Sequence, residues 1–256
     1  KALIGNYHGT SSEYITVLEG IRQAAGKEVR ILYSEGCHLW KDTVEHLADP
    51  KQPDRLAEAL TVAGYADVVI LTVGLDETLE GEEGDTGNSD ASGDKKDLSF
   101  PPSQRKLMDE VLRCGKPVVV LNMTGSAMDL RAADKNADAV LQVWYPGARG
   151  GKSVADILFG KVSPSGKLPV TFYNDIEDLP DFEDYSMADR TYRYYKGDVL
   201  YPFGYGLTYG KCVVESMAAE VKKSAEGIFD GAEVLAEVEN KGNVPTDEVL
   251  QVYVKD

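Results

Sequence analysis

From Ser11 to Tyr173 the spacing of apolar residues switches repeatedly between a helical and an extended period, which divides the chain into alternating helices and strands. "SSEYITVLEGIRQAAGKE" predicts a helix opened by Ser11 or Ser12 and closed near Gly26, and "VRILYSEG" predicts a strand. "DRLAEALTVAGYA" places Leu56, Leu60 and Ala63 at helical spacing, with Asp54 as its N-cap. "DVVILTVGL" is a continuous β-branched run, the pattern of a strand buried on both faces. "PPSQRKLMDEVLRCG", "SAMDLRAADKN" and "GGKSVADILFG" predict further helices; "KPVVVLNM", "ADAVLQVWY" and "KLPVTFY" predict further strands. Such alternation implies the α/β class, with a mostly parallel sheet and right-handed crossovers.

After Tyr173 the periodicity fades. The stretch from Asn174 to Gly210 is rich in Pro, Gly, Asp and Tyr, too aromatic for a disordered linker, and reads as an ordered wrapping segment. From Lys211 the pattern becomes alternation: "CVVESMAAEVKK", "AEVLAEVENKG" and "EVLQVYVKD" predict three strands of an all-β sandwich. A sandwich of this kind needs about seven strands, so the chain is expected to hold only its opening part. The first residues likewise have no run-in, and both ends read as cut.

Composition narrows the function classes. The formal charge of −16 argues against nucleic acid and against anionic membranes, since both need a basic face. No apolar run is long enough for a membrane helix. "KALIGNYHGT" has none of the parts of a signal peptide, and Cys37, Cys114 and Cys212 form no CxxC pair; together these favour a reducing, cytoplasmic setting.

The loop after "VVILTVG" carries the candidate chemistry. Glu77, Glu80, Glu82 and Glu83 follow directly on the strand's end, where open α/β sheets receive ligands. The connection is also longer than strand-to-helix loops usually are. Clustered carboxylates serve metal binding, general acid/base catalysis or plain solvation. "NSDASG" (88–93) resembles a calcium loop but lacks the closing bidentate glutamate, so no metal is expected. Crowded like charges keep one carboxyl protonated, as a general acid requires. Spacing alone favours a solvated acidic loop. "GARGG" before a helix could receive an anion but reads better as a tight turn. His38 and His46 stand apart from any cluster. His8, with Tyr7, lies in a short loop between Gly5 and Gly9 that turn chemistry alone would explain.

"GNYHGT", "VVILTVGLDETLEGEEGD", "DLSFPPSQRKLMDEV", "KPVVVLNMTG", "WYPGARGGKSVADILFGKVSPSGKLPVTFY" and "DLPDFEDYSMADRTYRYYKGDVLYPFGYGLTYG" occur in this order. Together they resemble the carboxyl-terminal half of family-3 glycoside hydrolases, the β-glucosidase and β-xylosidase group. The resemblance implies an α/β sandwich domain over residues 1–209, lacking its amino-terminal edge, and the first strands of a fibronectin-III-like domain over residues 210–256. It implies part of a retaining, exo-acting β-glycosidase that removes terminal β-linked sugars from an oligosaccharide or aryl glycoside, by a mechanism that needs no cofactor. The nucleophilic Asp would lie on a barrel domain absent from this chain, which alone would be inactive. The acid/base falls on Glu80, with Glu82 as the alternate; the family's following Arg is missing, and Lys95 or Lys96 would supply its charge. Tyr7 and His8 would line the outer edge of the sugar site. The wording of the acidic loop leans towards xylosidases, self-association into a homo-oligomer is left open, and the rival reading is a non-catalytic carbohydrate-binding or structural module.

Overall fold

The structure, a computed structural model, describes residues 2–41, 55–82 and 95–254. In chain order its elements are α1 (Val17–Ala24), α2 (Leu56–Tyr65), β1 (Val69–Gly74), α3 (Pro102–Val111), β2 (Val118–Met123), α4 (Arg131–Asn136), β3 (Ala139–Gln142) and α5 (Gly150–Leu158). There follow β4 (Phe172–Tyr173), a 3₁₀ turn (Ile176–Asp178), α6 (Thr191–Tyr194), β5 (Val199–Tyr201), β6 (Cys212–Lys223) and β7 (Phe229–Asn240). The chain forms two compact units, Lys1–Asp156 with Val170–Phe203, and Ile157–Pro169 with Gly204–Asp256.

In the first unit β1, β2 and β3 make a parallel sheet in that order, with Val69 opposite Val118 and Val119 opposite Ala139. Helices connect the strands, as the alternating pattern predicts. The apolar run of β2 has its physical reason in this placement. It is the central strand, and Val118, Val120 and Leu121 are all at most 1% exposed. Met128, Leu130, Ala133, Ala155 and Phe172 complete the core around it. At one point two helices touch backbone to backbone. A methyl on Gly20 of α1 would fall 2.0 Å from the Gly151 carbonyl oxygen of α5, and one on Gly151 would fall 2.0 Å from that of Thr16.

Several boundaries differ from the expected ones, each for a hydrogen-bonding reason. The first helix opens at Val17 rather than after Ser11 or Ser12. Ile15 is extended, its N–H bonded to Ala148 O and its carbonyl to Gly151 N–H, and Thr16 Oγ1 then caps the helix by accepting from Glu19 N–H. The expected N-cap Asp54 lies outside the described residues, as does His46. "VRILYSEG" forms no ladder among the described residues. The helix expected over "SAMDLRAADKN" shrinks to Arg131–Asn136, because Thr124 Oγ1 binds Ser126 O and Asp129 N–H binds Leu98 O, which holds the intervening residues as a loop. "KLPVTFY" contributes only Phe172 and Tyr173, paired antiparallel with β5.

The segment after Tyr173 is ordered by side chains. Asp175 caps the 3₁₀ turn, and the Arg190 guanidinium donates to the carbonyls of Pro180, Asp181 and Asp184. Tyr201 Oη donates to Asp134.

In the second unit β6 and β7 pair antiparallel as a long hairpin, from Cys212 opposite Asn240 to Lys223 opposite Phe229. "EVLQVYVKD" makes no ladder among the described residues. Lys167 Nζ binds Gly206 O and pairs with Glu248 at 2.9 Å, which holds the Glu248 carboxyl below its usual range. Ser163, Thr208 and Thr246 share a hydroxyl cluster.

Candidate active-site loop

The site is built at the carboxyl ends of the three parallel strands. The β1–β2 pairing runs one residue beyond the strand, with Leu75 N–H on Met123 O at 2.9 Å. Gly74 is bracketed by one side chain: Gln104 Oε1 accepts its N–H at 2.8 Å, while Nε2 donates to its carbonyl at 2.7 Å. Buried Asp76 then turns the chain. Its Oδ1 accepts from Thr78 N–H and Thr78 Oγ1, and its carbonyl accepts from the N–H groups of Leu79 and Glu80. This single turn lifts Glu80 over the ends of the neighbouring strands.

The Glu80 carboxylate is half-buried and accepts three hydrogen bonds from two other loops. After β2, Gly125 N–H donates to Oε2 at 3.0 Å and Ser126 Oγ to Oε1 at 2.7 Å. After β3, Tyr145 Oη donates to Oε2 at 2.7 Å. One carboxylate thereby joins all three strand ends. Glu82, two residues on, is exposed, and Glu83 lies outside the described residues together with "NSDASG". Among the described residues no three His, Cys, Asp or Glu side chains converge on a metal position.

Beneath this carboxylate lies a buried polar layer. Asn122 Nδ2 donates to Thr124 Oγ1 and Gln142 Oε1, and Gln142 Nε2 returns to Thr124 O. Asn122 and Thr124 are fully buried, so these bonds lie in a low-dielectric interior and fix the loop that carries Gly125 and Ser126.

Lys95 lies close enough to feel the charge of Glu80. Its Nζ donates to Ala127 O at 2.6 Å and lies 3.0 Å from Met128 Sδ. Burial lowers its pKa, against the opposing pull of Glu80 and Asp97. Tyr145 shifts the other way. Burial pushes its phenol well above the usual range, helped by the bond to Glu80 and by the charges of Glu80 and Asp76.

Tyr145 was invisible to motif reading, as were Gly125 and Ser126, although all three lie in quoted stretches. The signals available were the bulky pair in "WYPG" and the small residues in "NMTGS". The expected Tyr7 and His8 are both exposed, Tyr7 with a left-handed φ of 52°, and His8 Nδ1 lies 3.0 Å from Gly9 O. Their loop reaches the site through Gly5, where a methyl would fall 2.5 Å from the Tyr145 ring.

Comparison with known proteins places the chain in a family. The profile of the glycosyl hydrolase family 3 C-terminal domain matches residues 1–209. A xylan 1,4-beta-xylosidase of Xylanibacter ruminicola is 40% identical over 188 residues, covering 73% of this chain and 21% of the relative. A periplasmic beta-glucosidase of Salmonella typhimurium is 32% identical, covering 97% of this chain and 34% of the relative. The crystal structure of a family-3 β-glucosidase from Bifidobacterium adolescentis superposes with a TM-score of 0.75 at 30% identity, over 94% of this chain and 34% of that one. The chain thus spans between about a fifth and a third of the length of these relatives. The shared stretch includes the loops that meet at Glu80, and the chain belongs to glycosyl hydrolase family 3 as its C-terminal domain.

Proposed function

We propose that this chain supplies the general acid/base carboxylate of a retaining β-glycosidase acting on terminal β-linked xylose or glucose. The observation that carries the reading is the acidic turn Asp76–Glu82, set at the carboxyl ends of parallel strands and braced by the loops that follow β2 and β3. The nucleophilic Asp belongs to a barrel domain of the same enzyme, about 5–5.5 Å from the acid/base carboxyl in the assembled site. Residues 210–256 are the opening strands of a fibronectin-III-like domain, a reading supported by the long β6–β7 hairpin.

Of the two candidate carboxylates, the acid/base role goes to Glu82. Three donors of its own unit occupy the oxygens of Glu80, and a carboxylate offers only about four such positions. Glu82 is exposed at the outer end of the same turn, where a sugar can reach it. In the first step the barrel Asp attacks the anomeric carbon, the bond to the leaving oxygen breaks, and Glu82 gives that oxygen its proton. In the second step Glu82 takes a proton from water, the water oxygen bonds to the anomeric carbon, and the Asp departs. Tyr7 and His8 border the sugar site, supported by the contact of their loop with Tyr145.

The test is Glu82→Ala in the full-length gene product, assayed on dinitrophenyl β-xyloside and β-glucoside. Azide should restore turnover and yield a β-glycosyl azide, because a small anion needs no general base to attack the glycosyl-enzyme. An unimpaired Glu82→Ala enzyme would refute the assignment.

A further inference from the structure

We propose that Glu80, Tyr145 and Lys95 form a clamp that sets the position of the acid loop without taking part in bond cleavage. The proposal rests on the acid/base role of Glu82. The acid loop leaves the sheet at Leu75 and returns through Lys95 towards α3, and both of its ends are held on one short stretch, Gly125–Met128. Glu80 grips Gly125 and Ser126 from the outgoing side. Lys95 grips Ala127 and Met128 from the returning side. Glu82 stands two residues beyond the first grip, so its reach is set by how firmly Glu80 is held.

Tyr145 locks the grip from the third strand. Its ring lies between Gly5 and Gly125, where added methyls would fall 2.5 Å and 2.9 Å from ring carbons, so any larger residue at either position would displace the ring. The backbone aims it as well. Trp144, just before it, has a left-handed φ of 58°, a conformation that bulky residues rarely adopt unless the surroundings impose it. Here the indole meets the ring of fully buried Phe172 edge-on, with centroids 6.4 Å apart. The turn at Trp144 brings the Tyr145 hydroxyl to 2.7 Å from Glu80.

The donor inventory separates positioning from chemistry. Gly125 N–H can only donate, so a proton on Glu80 Oε2 would face another hydrogen. The Ser126 and Tyr145 hydroxyls could reverse and accept, which keeps each bond with its direction changed, so in either state both oxygens of Glu80 face the chain's own loops. A residue in this setting transmits geometry. Misplacing a catalytic group by about 1 Å costs on the order of 100-fold in rate, which sets the expected scale for Glu80→Ala.

The experiment uses the full-length gene product with Glu80→Ala, Glu80→Gln, Tyr145→Phe, Lys95→Met and Glu82→Ala, assayed on aryl glycosides whose phenol leaving groups span a range of basicity. Azide rescue and the thermal midpoint are recorded for each. The clamp variants should lose kcat with little change in KM, and the loss should grow with the basicity of the leaving group, because poor leaving groups depend most on protonation by the acid. Azide should not restore them, and Glu80→Gln should keep more activity than Glu80→Ala. Azide rescue of Glu80→Ala, with Glu82→Ala unimpaired, would make Glu80 the acid/base and overturn the clamp while leaving the glycosidase reading intact. An equal loss on all leaving groups that tracks a lowered midpoint would reduce the three residues to ordinary stability and also overturn it. If no variant, Glu82→Ala included, loses activity, both readings fall.

Discussion

Tyr145 binds its proton more tightly in the folded chain than free, because ionisation would place a phenolate in a half-buried site beside Glu80 and Asp76. A group of this kind contributes stability that is fully present below its unfolded value of 10.0 and is lost as pH rises above it. Lys95 has the opposite sign. Its folded pKa lies below the ordinary lysine value of 10.5, so the unfolded chain binds more protons just under that pH and stability rises through the window. Single variants should therefore separate the two effects. Urea midpoints measured from pH 8 to 11 should fall less steeply above pH 10 for Tyr145→Phe than for the parent, and should lose a rising component for Lys95→Met. Identical profiles for parent and both variants would show that neither group is perturbed. The carboxylates were legible in the sequence because Glu runs stand out beside an apolar strand. The bracing of Glu80 was not, since its donors come from residues 125, 126 and 145.

Among the elements, β2 and the α1–α5 contact carry the clearest consequences. Leu121 is fully buried in the central strand, so Leu121→Ala should destabilise by about 2–5 kcal/mol through lost transfer energy and a residual cavity. Denaturant titration reads this directly. The helix glycines give a sharper contrast. Replacing a helical Gly by Ala ordinarily stabilises by up to about 1 kcal/mol. Gly64 of α2 has open space where a methyl would go, and Gly64→Ala should follow that rule. At Gly151 the methyl would fall 2.0 Å from a backbone carbonyl oxygen; overpacking of about 1–3 kcal/mol exceeds the propensity gain, so Gly151→Ala should destabilise. Matching shifts at the two sites would contradict the close approach of α1 and α5. The apolar periods found the helices and β1 to β3, but "VRILYSEG" and "EVLQVYVKD" form no ladder among the described residues, and boundaries moved wherever a backbone group found a partner far away in sequence, as Ile15 did with Ala148 and Gly151.

For the whole molecule, the proposed function would put one carboxylate of a retaining pair on this chain and the other on a barrel domain. The 256-residue polypeptide alone should release no nitrophenol from aryl β-xyloside or β-glucoside above blank. Adding a barrel polypeptide, or assaying the full-length protein, should restore turnover. Clear activity from the isolated chain would require a second catalytic carboxylate within it. The non-catalytic alternative differs in its binding, because a carbohydrate-binding module would hold an oligosaccharide unaided. Calorimetry with xylobiose and cellobiose on the isolated chain should show no saturable binding at millimolar sugar.

What the sequence determined by itself follows from local physics. Apolar periods set the alternation of helices and strands, the β-branched runs marked β1 and β2 as strands, of which β2 is buried on both faces while β1 leaves Thr72 exposed, and the ordered motifs identified the family. Each of these depends on residues near one another along the chain. Only the tertiary structure decided how Glu80 is held. That outcome depends on three loops from different strand ends meeting at Glu80, on two glycines small enough to admit the Tyr145 ring, and on a left-handed turn at Trp144 that aims it. Partners separated by 45 and 65 residues leave no periodic trace in a sequence, because hydrogen bonding and steric exclusion act through space.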